Sequence, residues 1–286
     1  MQYIQNACLL NIFVSSVFLG PEHKPFNFTW DKIINHGLTF SNNYNKNDAA
    51  VLLQLSLMIT ESSYLKNNLN TPSSLTDITI MYDECPMAIF SKAMPSVASN
   101  EPTMIAHLFY IETSDTVIIA FTGTINGCMA AMDLSYEQID ADKLINYIPG
   151  LRAHSGIYLA YQSIRDKLFI SLKPLLSKNP KIIVTGHSLG GGISQLCALD
   201  LAYYNPLHYS FASPMIFNDV GHRVFTELIN SSYRVANLSD LVVLAPLPVM
   251  PNKDVFFHVG ELIHFQRNMG EYSPNHTAAY IHEYNL

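Results

Sequence analysis

The stretch Lys181-Ile182-Ile183-Val184-Thr185-Gly186-His187-Ser188-Leu189-Gly190-Gly191-Gly192 decides the fold of this chain. Its β-branched apolar start is typical of a buried strand, and the small residues at its end are typical of a closely packed helix. The Gly-His-Ser-Leu-Gly between them predicts a sharp turn with Ser188 at its apex. Gly186 and Gly190 flank the serine because such a turn brings the strand and helix backbones too close for a β-carbon.

A serine at the apex of a strand, turn and helix is the nucleophile elbow of the α/β-hydrolase fold. The helix that begins at Leu189 directs free N–H groups and the positive end of its dipole toward the space beside the Ser188 hydroxyl. An oxyanion that forms there during acyl transfer would be stabilised. Because Gly-x-Ser-x-Gly also occurs in unrelated loops, the flanking strand and helix are what favour a catalytic turn.

The rest of the chain supplies strands and helices for a mixed sheet. The hairpin-sized link at 113–115 joins two antiparallel strands, and strands that alternate with helices follow, so we predict an α/β-hydrolase fold with a mixed, mostly parallel central sheet flanked by helices. We find no internal repeat or domain boundary, and residues 1–286 are expected to form one domain with 1–47 as an N-terminal extension packed on it. Helices are predicted over 48–64 with Asp48 as N-cap, 157–176, 189–204 and 219–229, and strands over 78–82, 87–91, 104–112, 116–121, 181–185, 207–212 and 232–237.

Composition excludes several classes of protein. With 49% hydrophobic and 14% charged residues, the chain can bury a large core. Its net charge of -7 argues against a nucleic-acid surface and against attraction to anionic headgroups, so any membrane contact has to be hydrophobic. The widely spaced cysteines lack metal-ligand spacing and are expected to be free thiols, Cys197 buried in the helix after the elbow, although a disulfide between two of Cys8, Cys85 and Cys128 stays open.

The apolar opening segment, residues 7–20, raises the question of export. No Lys or Arg precedes it, Asn11 interrupts it, and no small-x-small cleavage site follows. These features favour a packed N-terminal helix or strand over a signal peptide. No apolar run reaches the length that spans a bilayer, and the sequence leaves the localisation undecided.

Ser188 needs a histidine to take its proton and a carboxylate to orient that histidine. In this fold the chain order is serine, acid, histidine, so both partners follow Ser188. Asp240 is the predicted acid because it comes directly after the strand 232–237, and parallel sheets place functional groups beyond the carboxyl ends of their strands. The other downstream candidates fit less well: Asp200 falls inside the elbow helix, Asp219 looks like a helix cap and Asp254 lies in a proline-rich loop.

His276 is the predicted base. It lies in the loop 272–280, which opens a C-terminal helix, so its ring can reach over the sheet edge. His187 is directed away by the geometry of the turn and is expected to brace the elbow. The remaining downstream histidines, His258, His264 and His282, are interpreted as packing or surface residues.

An oxyanion hole needs a second donor besides the Leu189 N–H, and it comes from a loop after another strand. Thr124 follows Phe121-Thr-Gly at the end of the strand 116–121. We therefore predict that Thr124 contributes its backbone N–H and its hydroxyl.

With these motifs in this order, the chain resembles the class 3 lipases, the fungal-type triacylglycerol lipase group with an α/β-hydrolase fold. The resemblance runs from about residue 48 to 282. It implies Ser188 as nucleophile, Asp240 as acid, His276 as base, Thr124 with Leu189 as oxyanion donors, and the region 125–134 as a lid. The motifs that carry it are Phe121-Thr-Gly-Thr124, His154-Ser-Gly-Ile157, Val184-Thr-Gly-His-Ser-Leu-Gly-Gly191, Phe211-Ala-Ser-Pro214, Arg234-Val to Asp240, and His258-Val-Gly-Glu261.

The chain also departs from the family pattern. Thr122 stands where an arginine is usual, and Ser213 stands in a turn that usually contains glycine. The lid region 125–134 has no tryptophan and only modest apolar content. A smaller or more polar ester is therefore a reasonable substrate besides a fat droplet.

Taken together, the residues predict a serine carboxylester hydrolase that cleaves acyl esters of glycerides or phospholipids and needs neither a metal nor an organic cofactor. The expected partner is a lipid or another acyl ester, with transient contact to a membrane or lipid surface and none to nucleic acid. Two alternatives remain: an acyltransferase that uses the same three residues, and a lipase-like binding or scaffold protein without activity.

Overall fold

The computed structural model describes residues 39–60, 75–82, 103–124, 135, 137–145, 147–246 and 254–286. Strands are β1 (Leu75–Tyr82), β2 (Thr103–Ile111), β3 (Thr116–Phe121), β4 (Gln138–Asp140), β5 (Arg152–His154), β6 (Lys181–His187), β7 (Leu207–Phe211), β8 (Ser231–Asn237) and β9 (Glu261–Phe265). Helices are α1 (Lys46–Thr60), α2 (Ser155–Leu176), α3 (Leu189–Asp200), α4 (Asp219–Leu228), α5 (Tyr272–His276) and α6 (Ala278–Tyr284).

The central sheet has the strand order β1-β2-β3-β6-β7-β8-β9, and β4 pairs with β5 in a separate small sheet. The first three strands are antiparallel, and β3, β6, β7, β8 and β9 run parallel. This is the mixed, mostly parallel sheet flanked by helices that the sequence predicts. The fold class is confirmed.

Both faces of the sheet are covered, as the continuous apolar strands require. On β3, Val117, Ile119 and Phe121 belong to the core that includes α2 and α3. The alternate residues Ile118 and Ala120 belong to the core on the other face, which includes α1 and the C-terminal helix α6. The period of two along β3 therefore builds two cores, one on each side of a fully buried strand.

The N-terminus of α1 differs from the prediction. The side-chain oxygen of Asn45 accepts hydrogen bonds from the N–H groups of Asn47 (2.8 Å) and Asp48 (3.1 Å), so Asn45 is the cap. Asp48 lies buried in the first turn and accepts a bond from Thr39. The prediction of Asp48 as N-cap is wrong because the helix begins about one turn earlier. Asn45, three positions before Asp48, is an equally good capping residue and takes that role.

The N-terminal residues that the structure describes lie against the sheet. The hydroxyls of Tyr44 and Tyr284 are 2.8 Å apart, and the N–H of Asn45 donates to the Tyr209 hydroxyl at 3.1 Å. Residues 1–38, with the segment 7–20, lie outside the described residues, so the packing of the whole extension and the single domain stay predictions. The predicted strand 87–91, the lid region 125–134 and the cysteines at 8, 85 and 128 also lie outside them, whereas Cys197 is a free, buried thiol as expected.

The glycines of the elbow are required by close backbone contacts. A β-carbon on Gly186 would lie 2.2 Å from the Gly190 carbonyl oxygen, which is the strand-to-helix approach that the sequence predicts. A β-carbon on Gly190 would instead meet the carbonyl oxygens of Phe121 (2.4 Å) and Thr122 (2.5 Å) at the end of β3. The second glycine therefore allows α3 to pack against a neighbouring strand.

Among the described helices, none combines the length and apolar character needed to cross a membrane.

We expect Gly190→Ala to lower the free energy of unfolding by about 3 kcal/mol, because the added methyl group would overlap two backbone oxygens that cannot rotate away. The matched control is Gly192→Ala on the same helix. Its β-carbon would meet the movable end of the Ile157 side chain at 2.8 Å, and its better helix propensity offsets about 1 kcal/mol of the cost. Urea unfolding measures both variants, and equal stability of the two would contradict the proposed close packing of α3 on β3.

Candidate active site

Three segments that are far apart in the chain meet at one edge of the sheet. Ser188 follows β6 directly, and Asp240 lies three residues beyond the end of β8. Both strands belong to the parallel part of the sheet, so their carboxyl ends share this edge. His276 is the last residue of α5 and reaches the same edge from the C-terminal part of the chain.

The side chains of the predicted nucleophile, base and acid form a continuous hydrogen-bonded chain. The distance from His276 Nε2 to Ser188 Oγ is 2.8 Å, and that from His276 Nδ1 to Asp240 Oδ2 is also 2.8 Å. A carboxylate can only accept, so Nδ1 donates to Asp240 and the lone pair of Nε2 accepts the Ser188 hydroxyl. The exposed fractions are 7% for Ser188, 8% for His276 and 0% for Asp240, so the serine and the histidine keep a small exposed area and the acid has none.

The backbone holds Ser188 in a strained conformation. Its φ of 60° and ψ of -126° lie in a region that non-glycine residues rarely adopt. The N–H of Ser188 donates to the Phe211 carbonyl at 2.9 Å, and the Ser188 carbonyl accepts from the Gly192 N–H at 3.2 Å. These two bonds fix the turn and present the hydroxyl at the rim of the sheet.

Tyr280 is a further member of the site that sequence reasoning missed. Its hydroxyl donates to Asp240 Oδ2 at 3.1 Å, the same oxygen that His276 contacts, while Oδ1 accepts the Val242 N–H at 2.9 Å. Burial, together with the nearby Asp240 carboxylate, holds the pKa of Tyr280 well above its usual range, so the phenol remains a donor. A catalytic serine requires a histidine and a carboxylate, and a tyrosine on the last helix carries no sequence signal for this contact.

His187 connects the elbow to the base. Its Nε2 lies 2.9 Å from the His276 carbonyl oxygen, and the two imidazole centres are 4.8 Å apart. Burial, and then the neighbouring His276, lower the pKa of His187 to about 3, so the ring stays neutral and donates from Nε2. The predicted bracing role therefore takes a specific form, in which His187 supports the backbone that carries His276.

The remaining histidines make other contacts. His258 is 2.7 Å from the Val243 carbonyl oxygen, and burial followed by the charge of Arg234 lowers its pKa to about 4. His208 lies between the hydroxyls of Ser194 (3.0 Å) and Ser232 (2.8 Å) in the core. Among the described residues, His276 is the histidine that hydrogen-bonds Ser188.

The aspartates that the sequence analysis set aside also have other roles. Asp200 receives two hydrogen bonds from Arg165, and Asp254 lies 3.5 Å from an Arg152 nitrogen. Asp219 is in the first turn of α4, but the cap is the preceding residue, Asn218, which accepts the Gly221 N–H at 3.0 Å. The interpretation of Asp219 as the cap is wrong because a neighbouring asparagine occupies the capping position.

The two predicted oxyanion donors, Thr124 and Leu189, follow two neighbouring strands of the sheet, β3 and β6. Leu189 is the first residue of α3, where backbone N–H groups have no partner within the helix. Thr124 comes three residues after Phe121, the β3 residue that pairs with Gly186 on the adjacent parallel strand β6. The side chain of Thr124 is buried. Both are thus at the Ser188 edge of the sheet, and their role as oxyanion donors stays a prediction.

The two departures from the family motifs have different surroundings. Ser213 Oγ accepts a hydrogen bond from Gln195 Nε2, which ties the turn after β7 to α3. The buried hydroxyl of Thr122 has no hydrogen-bond partner in the described part of the chain. Across the same ranges, no cluster of three His, Cys, Asp or Glu residues could hold a metal ion.

Comparison with known proteins finds similarity to lipases. The family model described as Lipase (class 3) matches residues 118–250, which include Thr124, Ser188 and Asp240. A secreted mono- and diacylglycerol lipase A of Penicillium cyclopium is 26% identical over 171 residues, covering 57% of this chain and 54% of that protein. A lipase of Rhizomucor miehei is 27% identical over 160 residues, covering 52% and 42%. The class 3 lipase model thus matches just under half of the chain, and the chain spans about half the length of these relatives.

Solved structures support the fold. A Rhizomucor miehei lipase propeptide complex with a deletion of two residues has a TM-score of 0.60 at 21% identity, covering 79% of this chain and 68% of that one. A triacylglycerol lipase from Penicillium expansum has a TM-score of 0.57 at 16% identity, covering 78% and 81%. The α/β-hydrolase fold is therefore shared with these lipases.

We expect Tyr280→Phe to lower the free energy of unfolding by about 1 to 3 kcal/mol, because it leaves the buried Asp240 oxygen and the Asn237 N–H without the phenol oxygen. Tyr203→Phe is the control, since Tyr203 is 92% exposed. Urea unfolding of both variants measures the difference. Equal stability of the two variants would show that the Tyr280 hydroxyl contributes nothing to the buried network.

Proposed function

We propose that this protein is a serine carboxylester hydrolase that cleaves acyl esters of glycerides or phospholipids, with Ser188 as nucleophile, His276 as general base and Asp240 as the acid that orients it. The observation that carries the proposal is the pair of 2.8 Å hydrogen bonds joining Ser188 to His276 and His276 to Asp240. This is the arrangement that activates a serine hydroxyl for acyl transfer.

In the proposed reaction, Ser188 Oγ attacks the acyl carbonyl carbon while His276 Nε2 accepts the hydroxyl proton. The buried Asp240 carboxylate stabilises the imidazolium, and the Leu189 and Thr124 donors stabilise the oxyanion. His276 then gives the proton to the leaving alcohol. Water attacks the acyl-enzyme with His276 again as base, which releases the fatty acid and restores Ser188.

The relatives support a glyceride substrate. The Penicillium cyclopium protein is a secreted mono- and diacylglycerol lipase, and the Penicillium expansum structure is that of a triacylglycerol lipase. The steps above use side chains and backbone donors of the chain itself.

We further infer a transient, hydrophobic contact with a lipid surface. Three leucines flank Asp240 on the segment after β8, and they are exposed by 50% (Leu238), 61% (Leu241) and 57% (Leu244). We call these the acid-loop leucines. They lie beside the proposed site, and the net charge of -7 disfavours attraction to anionic headgroups, so uncharged lipid is the expected surface.

Ser188→Ala should abolish hydrolysis of p-nitrophenyl esters, triglycerides and phospholipids, with a loss of about 10⁶-fold in kcat, because the nucleophile is removed. The fold should be retained, because the substitution removes only one small hydroxyl group. Assays with the wild type run beside it, and an added acceptor alcohol distinguishes hydrolysis from acyl transfer by the product formed. A wild type without activity on any of these esters would favour a binding or scaffold protein.

The acid-loop leucines can be tested in the Ser188→Ala background, so that the lipid is not consumed. Leu241→Ser with Leu244→Ser should weaken binding to phosphatidylcholine vesicles about 10-fold, because two apolar side chains no longer enter the lipid. Leu228→Ser is the control, since Leu228 is 40% exposed on the distant helix α4. Vesicle flotation measures the bound fraction, and an equal effect of control and double variant would refute the contact.

A further inference from the structure

Asn237, the last residue of β8, is fully buried and makes hydrogen bonds in two directions. Its Oδ1 accepts the N–H groups of Ser239 (3.2 Å) and Arg267 (2.9 Å). Its Nδ2 donates to the carbonyls of Arg267 (2.9 Å) and Asn275 (2.9 Å). One side chain thus contacts the segment that leads to Asp240 and the segment that ends at His276.

This amide is saturated. A carboxamide offers two N–H donors and two acceptor lone pairs, and all four are used here. The backbone of Asn237 adds two bonds, because its carbonyl accepts the Asp240 N–H at 3.0 Å and its N–H donates to the Tyr280 hydroxyl at 2.9 Å. Aspartate, with the same shape, could only accept and would face two carbonyl oxygens.

The Asn237 amide adds to the contacts that Tyr280 and His187 make with the same two segments. Asn275 closes the loop behind it by accepting the Met269 N–H at 2.6 Å, and its carbonyl, next to His276 in the chain, points to Asn237. A shift of either segment would leave buried groups unpaired, each at a cost of about 1 to 3 kcal/mol. The spacing of Asp240 and His276 is therefore coupled to this one amide.

We propose that Asn237 is a positioning residue for the reaction: its side chain sets the alignment of the Asp240 carboxylate with the His276 imidazole. The inference rests on the proposed function, in which this alignment stabilises the imidazolium. It assigns Asn237 no contact with substrate. Its effect is expected in the chemical step and in the His276–Asp240 hydrogen bond.

The test compares Asn237→Ala with Asn230→Ala, in which an exposed asparagine bonded to Asn205 is truncated in the same way. Asn237→Ala should lower kcat on a soluble p-nitrophenyl ester about 10²-fold with KM nearly unchanged, because misalignment of the catalytic groups affects turnover and leaves substrate contacts in place. Asn237→Asp, which cannot donate to the two carbonyls, should show the same split. Asn230→Ala should behave like the wild type.

Proton NMR supplies a readout that is independent of ester hydrolysis. The His276 Nδ1 proton, bonded to Asp240, should give a far-downfield resonance in the wild type and in Asn230→Ala, and it should vanish or shift in folded Asn237→Ala. An unchanged resonance with unchanged kcat, or a lower melting temperature alone, would overturn the positioning role. A wild type that shows the resonance but hydrolyses no ester would contradict the proposed function. The comparison of the resonance between the wild type and Asn237→Ala would still test the positioning role of Asn237.

If neither Asn237 variant folds, hydrogen exchange on the wild type decides. The amide protons of Ser239 and Arg267 are both bonded to Asn237 Oδ1 and should exchange as slowly as those in the middle of β8. Exchange at the rate of an unstructured peptide at these two sites would overturn the proposal.

Discussion

The hydrogen bond between His276 Nε2 and Ser188 Oγ is the interaction on which the rest of the active site depends. It joins residues 88 positions apart, and the acid on the other side of the imidazole lies 36 positions from the histidine. No local preference of the chain can create such contacts. They arise because parallel strands end at a common edge, and because the C-terminal segment is held over that edge by His187, Tyr280 and Asn237.

The backbone crowding at the elbow and the hydrogen bonds behind the acid serve the same end. Close approach of α3 to β3 and β6 is possible only with Gly186 and Gly190, and it places Ser188 in a conformation with positive φ. Asp240 is fully buried and both of its carboxylate oxygens accept hydrogen bonds, so the carboxylate has little freedom to turn. The strained backbone at Ser188 is thus accompanied by hydrogen bonds that hold Asp240 and His276 in place.

Much of the fold and of the candidate site could be predicted from the sequence. The strand, turn and helix around Ser188 has a strong local pattern, and the chain order of the fold restricted the acid and base to a few downstream residues. The helix caps were less predictable, because Asn45 and Asp48, or Asn218 and Asp219, are near neighbours with similar capping ability. The close packing of Gly190 against the end of β3 and the hydrogen bond from Tyr280 to Asp240 are tertiary contacts between distant parts of the chain. No periodicity or motif in the sequence indicates them.

The most direct test of the central claim is peptide mass spectrometry of the folded protein after treatment with a fluorophosphonate, which reacts with activated serines. We expect a single stoichiometric adduct on Ser188, formed at least about 10³-fold more slowly in His276→Ala because the general base is gone. An adduct on another serine, or no adduct on Ser188 in protein whose fold is intact, would contradict the claim that His276 and Asp240 activate this hydroxyl.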